Sequence, residues 1–330
     1  MKDSIEIEKL RKIFILKRGW GFRRKHQEIV AIDEVSLAVP AGQSVAFIGP
    51  NGAGKSTTIK ILTGILHPSA GRAQVLGFTP WTERQKLTYQ IGAVFGQRSQ
   101  LWYHLPPRDT FDLLARVYDL ERLEYQKRRE QLIQRFHLGP FLDTPVRKLS
   151  LGQRMRAEIA ASLLHSPKLL FLDEPTIGLD VIARQELRNL IHEWNREEGL
   201  TVFLTSHDAG DIEHVAERVI VINHGRIVLD DKVSTVRQFL GSKVFDVKFH
   251  APHSHVALPG VTTLAASEYS LKLEIDTQVT PIELAMNEVL KAGPVADIAI
   301  EDPPLEEIIA HIYKRSADST GVSDEENSTS

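Results

Sequence analysis

Short, continuous apolar runs recur in the middle of this sequence, separated by segments with helical periodicity. The runs cover residues 169–172, 201–205 and 219–222. Runs of this length are typical of strands that are buried on both faces of a parallel sheet. The helical segments cover residues 156–164, 183–196 and 209–216. Because these segments would form the crossover connections between strands, the pattern predicts an α/β core.

The N-terminal part has a different pattern, in which apolar and polar residues alternate. Alternation over residues 4–10 and 30–38 predicts two half-buried strands. The basic and aromatic segment 17–26 lies between them. We expect it to form a solvated loop, with contact to anionic lipid headgroups or nucleic acid as the alternative. Farther along, periodicity over 109–136 predicts helices that end before the Gly-Pro pair at 139–140.

The pattern changes again after residue 240. Three runs that predict strands cover residues 244–249, 270–275 and 295–300. The sequence Thr-Pro-Ile-Glu at 280–283 predicts a capping box with proline at the first helical position, and the helix would continue to about Lys291. A short final helix is expected to end near Tyr313.

Length and composition narrow the class of protein. A chain of 330 residues is long for one domain. We therefore predict a first domain over 1–240, a small α+β domain over 241–315, and a disordered tail, rich in Ser, Thr, Asp, Glu and Gly, over 316–330. The absence of cysteine excludes disulfides, thiolate chemistry and cysteine-ligated zinc. The net charge of −3 gives no reason to expect nucleic acid as a partner.

Membrane segments are not expected in this sequence. No apolar run approaches the roughly 18–20 residues that a spanning helix needs. The first residues are interrupted by charge and lack the apolar segment of a signal peptide. If the protein works at a membrane, another chain must supply the spans.

A glycine-rich run follows the strand-like residues 44–48 and precedes a helical pattern over 57–65, and it fits the phosphate-binding pattern G-x-x-x-x-G-K-[ST]. Its residues are Gly49, Pro50, Asn51, Gly52, Ala53, Gly54, Lys55, Ser56 and Thr57. Small residues let successive backbone N–H groups close around phosphate oxygens, and the helix N-terminus adds a partial positive charge. Lys55 would reach the β- and γ-phosphates, and the Ser56 hydroxyl would bind Mg²⁺.

Two carboxylates stand at the end of the apolar run 169–172. In a fold with a phosphate-binding loop, this strand end points at the Mg²⁺ site, so Asp173 would bind the ion directly or through water. Glu174 would orient and deprotonate an attacking water. Without a phosphate-binding loop, the same pair would be equally consistent with solvated acids at a strand end.

The residues Leu-Ser-Leu-Gly-Gln stand at the start of a helical segment just before this strand. Ser150 and Gln153 predict a capping box, and an exposed helix N-terminus attracts anions. With these motifs in this order, the sequence resembles the ATP-binding subunit of ATP-binding-cassette (ABC) transporters, whose signature motif is Leu-Ser-Gly-Gly-Gln. Ser150, Gly152 and Gln153 match the motif, whereas Leu151 stands where glycine is commonest.

The resemblance implies a role for each matching residue. The signature motif would contact the γ-phosphate of ATP that is held by the opposite copy, which implies a homodimer. Gln97 matches the glutamine that contacts Mg²⁺ and the attacking water and couples to the membrane subunit. Asp180 matches the aspartate that crosses the dimer interface, and His207 matches the histidine that senses the γ-phosphate. Phe14 matches the aromatic residue that stacks on adenine.

The resemblance also implies the fold. It implies an α/β phosphate-loop NTPase cassette with a mixed sheet core, an antiparallel N-terminal subdomain and a helical subdomain over about 98–165. That helical subdomain would meet the membrane partner. Trp20 or Phe22 could replace Phe14 at the adenine, because the basic insertion blurs the alignment. The small C-terminal unit is similar to the accessory domain of bacterial drug, antibiotic and sodium exporters.

The function implied by the resemblance is an ATPase, the motor subunit of an exporter. It would use ATP and Mg²⁺ as a peripheral homodimer on the cytoplasmic face of the membrane, attached to a separate membrane subunit. The alternative is a soluble ABC-type ATPase that acts on ribosomes or DNA. Such proteins usually carry two fused cassettes or coiled-coil arms, and this sequence shows neither. A regulatory module that binds ATP without hydrolysis is disfavoured by the pair Asp173 and Glu174.

Overall fold

The computed structural model describes residues 3–18, 25–96, 99–236 and 241–320. The chain divides into two compact units, Met1–Asp231 and Lys232–Ser330. This division falls before the expected domain boundary at residue 240, which lies outside the described residues. None of the helices in the described part combines the length and apolar character that a membrane span requires.

The first unit holds the strands and helices expected for an α/β domain. In chain order they are β1 (Asp3–Arg18), β2 (Lys25–Pro40), β3 (Ser44–Ile48), α1 (Lys55–Leu62), β4 (Ala70–Val75), α2 (Arg84–Thr88), β5 (Ile91–Phe95), α3 (Pro107–Val117), α4 (Arg122–Arg135), α5 (Leu151–Leu163), β6 (Leu169–Asp173), α6 (Val181–Glu198), β7 (Thr201–Thr205), α7 (Ala209–Val215), β8 (Arg218–Asn223) and β9 (Arg226–Lys232). The three apolar runs that predict buried strands form β6, β7 and β8.

The central sheet has six strands in the order β5-β6-β7-β3-β8-β9. The first five pair in parallel, and a turn at His224 and Gly225 leads from β8 to β9. The carboxyl ends of parallel strands meet at the same edge of a sheet. The glycine-rich loop after β3 therefore lies at the same edge as the two carboxylates that end and follow β6.

Both faces of this sheet are buried, which explains the continuous apolar runs. Along β6, Leu170 and Leu172 belong to a core formed with helices α3 to α6. The alternate residues Leu169 and Phe171 belong to a second core that contains α1 and the N-terminal strands. Because side chains alternate across a strand, a strand with two buried faces has no polar positions to reveal its period.

The N-terminal strands form a separate antiparallel sheet in the order β2-β1-β4. Strand β4 pairs with β1 only as far as Arg11, whereas β2 pairs with β1 to its end. The last pairs join Lys17 to His26 and Arg18 to Lys25. The expected loop over 17–26 is therefore wrong at both ends, which are strand. Residues 19–24, which include Trp20 and Phe22, lie outside the described residues.

The second unit is the expected α+β unit. Its elements are α8 (Val233–Val236), β10 (Ser242–Phe249), β11 (Val261–Ala266), β12 (Ser270–Asp276), α9 (Ile282–Ala292), β13 (Val295–Glu301) and α10 (Leu305–Thr320). The antiparallel sheet has the order β11-β12-β10-β13. Its core includes Phe245, Leu273 and Val289.

Three details of this unit differ from the sequence-based predictions. Strand β11 was not predicted, because it is a mostly exposed edge strand without alternating apolar residues. The predicted capping box is wrong: Pro281 is the N-cap of α9 without a side-chain cap, and the Thr280 hydroxyl donates to the carbonyl of Pro259. Helix α10 continues to Thr320, so the first part of the predicted disordered tail is helical, and 321–330 lie outside the described residues.

Candidate functional site

A pocket of about 890 Å³ lies at the carboxyl edge of the central sheet. Its lining residues are Phe14, Asn51, Gly52, Gly54, Lys55, Ser56, Thr57, Lys60, Ile65, Leu66, Phe95, Gly96, Asp173, Glu174, Ile177 and His207. This volume is within the range of small-molecule and cofactor sites. The pocket brings together most of the residues that the sequence assigns to nucleotide binding and hydrolysis.

The glycine-rich loop needs glycine for close packing and for its backbone shape. A Cβ atom on Gly49 would lie 2.3 Å from the carbonyl oxygen of Ile222. One on Gly54 would lie 2.4 Å from the carbonyl oxygen of Ala31, and Gly54 also has a φ of +109° as the N-cap of α1. A side chain at either position would push the loop away from its neighbours. The glycines therefore hold the N-terminus of α1 at the pocket.

Lys55, the first residue of α1, is 6% exposed. Its ammonium group folds back onto the loop and donates to the carbonyls of Gly49 at 2.6 Å and Pro50 at 3.2 Å. Burial lowers the pKa of Lys55, and the charges of Glu174 and Asp173 oppose that shift. The loop thus holds one cation beside two carboxylates in a largely dry position.

Asp173 is the last residue of β6, and two hydroxyl groups surround its carboxylate. Thr205, at the end of β7, donates to Oδ1 of Asp173 at 2.6 Å. Ser56 donates to the same oxygen at 3.4 Å. Mg²⁺ in nucleotide sites is bound by one or two carboxylates, a hydroxyl and phosphate oxygens, with no closed protein cage. The donor set of Ser56 and Asp173 fits that ion, and the described residues contain no group of three or more acidic or histidine ligands.

The backbone of Glu174 has a strained conformation. Its φ is +55°, a region that few residues other than glycine adopt, and strain of this kind clusters at functional sites. Its N–H donates to the carbonyl of Thr205 at 3.0 Å and contacts the Thr205 hydroxyl at 3.2 Å. This geometry turns the Glu174 side chain into the pocket, where its Oε1 lies 2.9 Å from Nε2 of His207.

The aromatic and glutamine predictions have different outcomes. Phe14 lines the pocket, and Nζ of Lys12 lies 5.1 Å from the centroid of its ring. Gln97 lies outside the described residues. Its neighbour Gly96 lines the pocket and donates its N–H to the carbonyl of Asp173 at 3.0 Å.

The signature segment lies outside this pocket. Ser150 is the N-cap of α5 and forms the predicted capping box with Gln153, with both reciprocal hydrogen bonds present. Asp180 caps α6 by accepting from the N–H of Ala183 at 2.9 Å. Ser150 and Asp180 are exposed, and neither they nor Gly152 line the pocket of their own chain.

A buried carboxylate that the sequence analysis missed connects three segments of the site. Asp211 on α7 is 1% exposed. It accepts from the hydroxyl of Ser206 at 2.6 Å, from Nε of Arg188 at 2.6 Å and from the hydroxyl of Thr176. Ser206 precedes His207, and Thr176 follows Glu174 by two residues. In the sequence, Asp211 looks like any acidic residue on an amphipathic helix.

Glu158 is a second buried acid that the sequence analysis missed. It is 3% exposed on α5, and its carboxylate accepts from the N–H of Gln100 at 2.9 Å and from the hydroxyl of Ser99. Burial raises the pKa of Glu158, and these hydrogen bonds oppose the shift. Glu158 therefore anchors the segment that follows Gln97 to the helix that begins with the signature residues.

Comparison with known proteins identifies a family and several relatives of this chain. A family model described as ABC transporter matches residues 32–177. The chain is 32% identical to the daunorubicin/doxorubicin resistance ATP-binding protein DrrA of Streptomyces peucetius, over 78% of this chain and 77% of the relative. It is 30% identical to the daunorubicin resistance ATP-binding protein DrrA3 of Streptomyces coeruleorubidus, over 88% of this chain and 94% of the relative.

Solved structures are also similar to this chain. CbiO1 of Clostridium perfringens, part of the ABC transporter complex CbiONQ, matches with a TM-score of 0.61 and 28% identity, over 72% of this chain and 91% of its own. The ATP-binding cassette MJ0796, in a dimeric post-hydrolysis state with ADP and Pi, matches with a TM-score of 0.60 and 26% identity, over 69% of this chain and 98% of its own.

Proposed function

Because this chain belongs to the ABC transporter family, as one of its ATP-binding cassettes, we propose that it powers export through a separate membrane-spanning subunit. Cassettes of this family are ATPases, and the chain is the ATP-binding motor subunit of such a transporter. Export as the direction of transport is supported by the similarity of this chain to relatives named for drug resistance, bacitracin transport and Nod factor export.

One observation carries the chemical proposal: Lys55, Asp173, Glu174 and His207 line a single pocket beside a helix N-terminus. We assign the β- and γ-phosphates to the backbone N–H groups of the loop and to the Lys55 ammonium. The adenine would stack on Phe14, which lines the same pocket.

Ser56 and Asp173 would hold Mg²⁺, together with Gln97 and phosphate oxygens. The ion would supply neutralisation of phosphate charge during the reaction. Thr205 fixes the Asp173 carboxylate by the hydrogen bond described above. This hydrogen bond holds the carboxylate in one orientation.

Glu174 is our candidate for the general base. It would accept a proton from water as the water oxygen forms a bond to the γ-phosphorus and the bond from that phosphorus to the β,γ-bridging oxygen breaks, which yields ADP and phosphate. His207, which lies against both Glu174 and Lys55, would contact the γ-phosphate. The positive φ of Glu174 would aim its carboxylate toward that phosphate.

The exposed caps of α5 and α6 support a second copy as the partner. Ser150 does not line the pocket of its own chain, and an exposed, capped helix N-terminus favours an anion. In a dimer, Ser150 of one copy would meet the γ-phosphate held by Lys55 of the other. Closure of the dimer would then depend on the γ-phosphate, and hydrolysis would allow the dimer to open. The name of the related MJ0796 structure describes a dimer.

The helical subdomain over about 98–165, which includes the segment after Gln97, is our candidate for the contact with the membrane subunit. Large apolar side chains are exposed there, at Trp102, Tyr103 and Leu105. Exposed apolar patches commonly mark interaction surfaces. The cassette would lie on the cytoplasmic side of the membrane, where ATP is available, with no nucleic acid involved.

A pair of variants tests this assignment. Lys55→Ala should weaken MgATP binding roughly tenfold or more, because it removes a charged partner of the phosphates. Glu174→Gln should keep binding within a few-fold of wild type and abolish phosphate release.

Purification from detergent should recover the chain with a multi-span membrane protein. Recovery with ribosomes or DNA instead, or wild-type turnover by Glu174→Gln, would refute the proposal.

A further inference from the structure

The N-termini of α5 and α6 lie against each other within one chain. A Cβ atom on Gly178, in the loop that leads to α6, would lie 3.0 Å from Cδ2 of Leu151, the first residue of α5. A Cβ atom on Gly152 would lie 2.9 Å from Cβ of Ala183. Two adjacent residues of the signature segment therefore pack against this region: the Leu151 side chain lies against Gly178 in the loop, and Gly152 lies against Ala183 in the first turn of α6.

Leu151 fills the space between the two helix ends. It is half-buried and packs against the core that contains helices α3 to α6. Gly178 leaves room for it, and its φ of +74° is one that residues with a side chain rarely adopt. Leu151 stands where glycine is commonest in the family, so its contact with Gly178 is a feature of this chain that a glycine could not make.

The two helix ends present exposed residues side by side. Ser150 and Asp180 are exposed and cap α5 and α6 respectively. Beyond Asp180, the side chains of Val181 and Ile182 are 80% and 73% exposed. Apolar side chains this exposed on a helix start are expected where a partner covers them. Ile177, which precedes Gly178 in the same loop, is also exposed and lines the nucleotide pocket.

We propose that Leu151 is a positioning residue that joins Ser150 and Asp180 into one rigid surface, so that the contacts proposed above for these two residues with a second copy are coupled to each other. The inference rests on the proposed function, in which the second copy holds the nucleotide. Because Leu151 fixes the end of α5 against the loop of Gly178, Ser150 cannot reach the γ-phosphate of the partner without bringing Asp180 to the partner as well. The two contacts form together.

The test uses the full chain with Glu174→Gln, in which bound MgATP is not consumed. The dissociation constant of the dimer is measured by sedimentation at saturating MgATP. The effects of Ser150→Ala, Asp180→Ala and the double change form a double-mutant cycle. The cycle is repeated with Leu151→Ala added.

With Leu151 present, we expect Ser150→Ala and Asp180→Ala to act non-additively by about fivefold, within the usual range for coupled residues. With Leu151→Ala, their effects should become independent, and the dimer should weaken about fivefold on its own. Leu151→Met, which keeps an apolar chain of similar reach, should preserve the coupling. Leu190→Ala is the control, because Leu190 is a half-buried leucine on α6 that packs against the same core.

Several results would overturn the proposal. Unchanged coupling with Leu151→Ala would do so, as would an equal effect of Leu190→Ala. If Leu151→Ala lowers the thermal midpoint more than Leu190→Ala, Leu151→Met decides: loss of coupling in that folded variant contradicts the proposal, and its retention supports it. If Glu174→Gln with Leu151 intact forms no dimer, the proposed function itself fails, which is a different and separately visible result.

Discussion

Nε2 of His207 lies 2.9 Å from Oε1 of Glu174, and the same nitrogen lies 3.2 Å from Nζ of Lys55. With a proton on Nε2, His207 donates to Glu174; without one, it accepts from Lys55. The imidazole thus bridges the candidate base and the residue that would bind the γ-phosphate. His207 would therefore change its hydrogen bonds when the Lys55 ammonium binds a phosphate.

The first prediction concerns His207→Ala. Turnover should fall roughly a hundredfold or more, since the base and the phosphate lose the group that lies between them. MgATP binding should change less than about threefold, because Lys55 and the loop are intact. Phosphate release and equilibrium binding are measured on the same preparations. His214→Ala is the control, since His214 is exposed on α7 and does not line the pocket; wild-type turnover by His207→Ala would refute the assigned role.

The second prediction concerns Thr205→Val, which keeps the shape of the side chain and removes its hydroxyl. The Asp173 carboxylate loses its 2.6 Å hydrogen bond, while the N–H of Glu174 keeps the Thr205 carbonyl. We expect kcat to fall about tenfold and the Mg²⁺ concentration for half-maximal activity to rise, because hydrogen bonds to charged groups are the strong ones.

Thr201→Val provides the matched control for this variant. Thr201 stands at the opposite end of the same strand, where its hydroxyl accepts from the N–H of Gly42 at 2.9 Å. That change should lower stability but leave the Mg²⁺ dependence unaltered. Equal Mg²⁺ dependence in the Thr205→Val and wild-type proteins would show that Thr205 does not orient the Asp173 carboxylate.

The third prediction concerns pH. His165 stacks on Tyr118 with ring centroids 4.0 Å apart, its Nε2 lies 2.9 Å from the carbonyl of Ile91, and its buried Nδ1 has no hydrogen-bond partner in the described residues. Burial lowers the pKa of His165, the hydrogen bond to the carbonyl of Ile91 opposes that shift, and the charge of Arg128 lowers the pKa further. The folded protein therefore disfavours the protonated imidazole. The contribution of neutral His165 to the free energy of unfolding is present above about pH 6.5 and is lost as the pH falls below that value.

His165→Phe keeps the stacked ring and removes the titration. The thermal midpoint of the wild-type protein should fall more between pH 7.5 and pH 5 than that of His165→Phe. Both proteins share every other titrating group, so the difference isolates His165. An identical fall in the two proteins would rule out His165 as a source of acid sensitivity.

Much of the site was predictable because its residues belong to short motifs at strand ends. The loop with Lys55, the pair Asp173 and Glu174, and His207 each follow an apolar run, and parallel pairing brings those runs to one edge. The sequence alone marks these groups as candidates because their chemistry and their strand are encoded within a few residues of each other.

The supporting residues could not be predicted in the same way. Asp211 gains its role from hydrogen bonds to Thr176 and Arg188, which are 35 and 23 residues away. Thr205 looks like an ordinary β-branched strand residue until β6 and β7 pair. The edge strand β11 and the cap of α9 were mispredicted for a related reason, since both depend on neighbours and not on local pattern.

The dimer is the claim on which the account of hydrolysis and closure depends most. It is tested most directly by the mass of the Glu174→Gln protein in sedimentation experiments with and without saturating MgATP. We predict a monomer without nucleotide, a dimer with MgATP, and a dimer that requires a roughly tenfold or more higher MgATP concentration when Lys55→Ala is added. A Glu174→Gln protein that binds MgATP and stays monomeric, even together with its membrane-spanning partner, would contradict it.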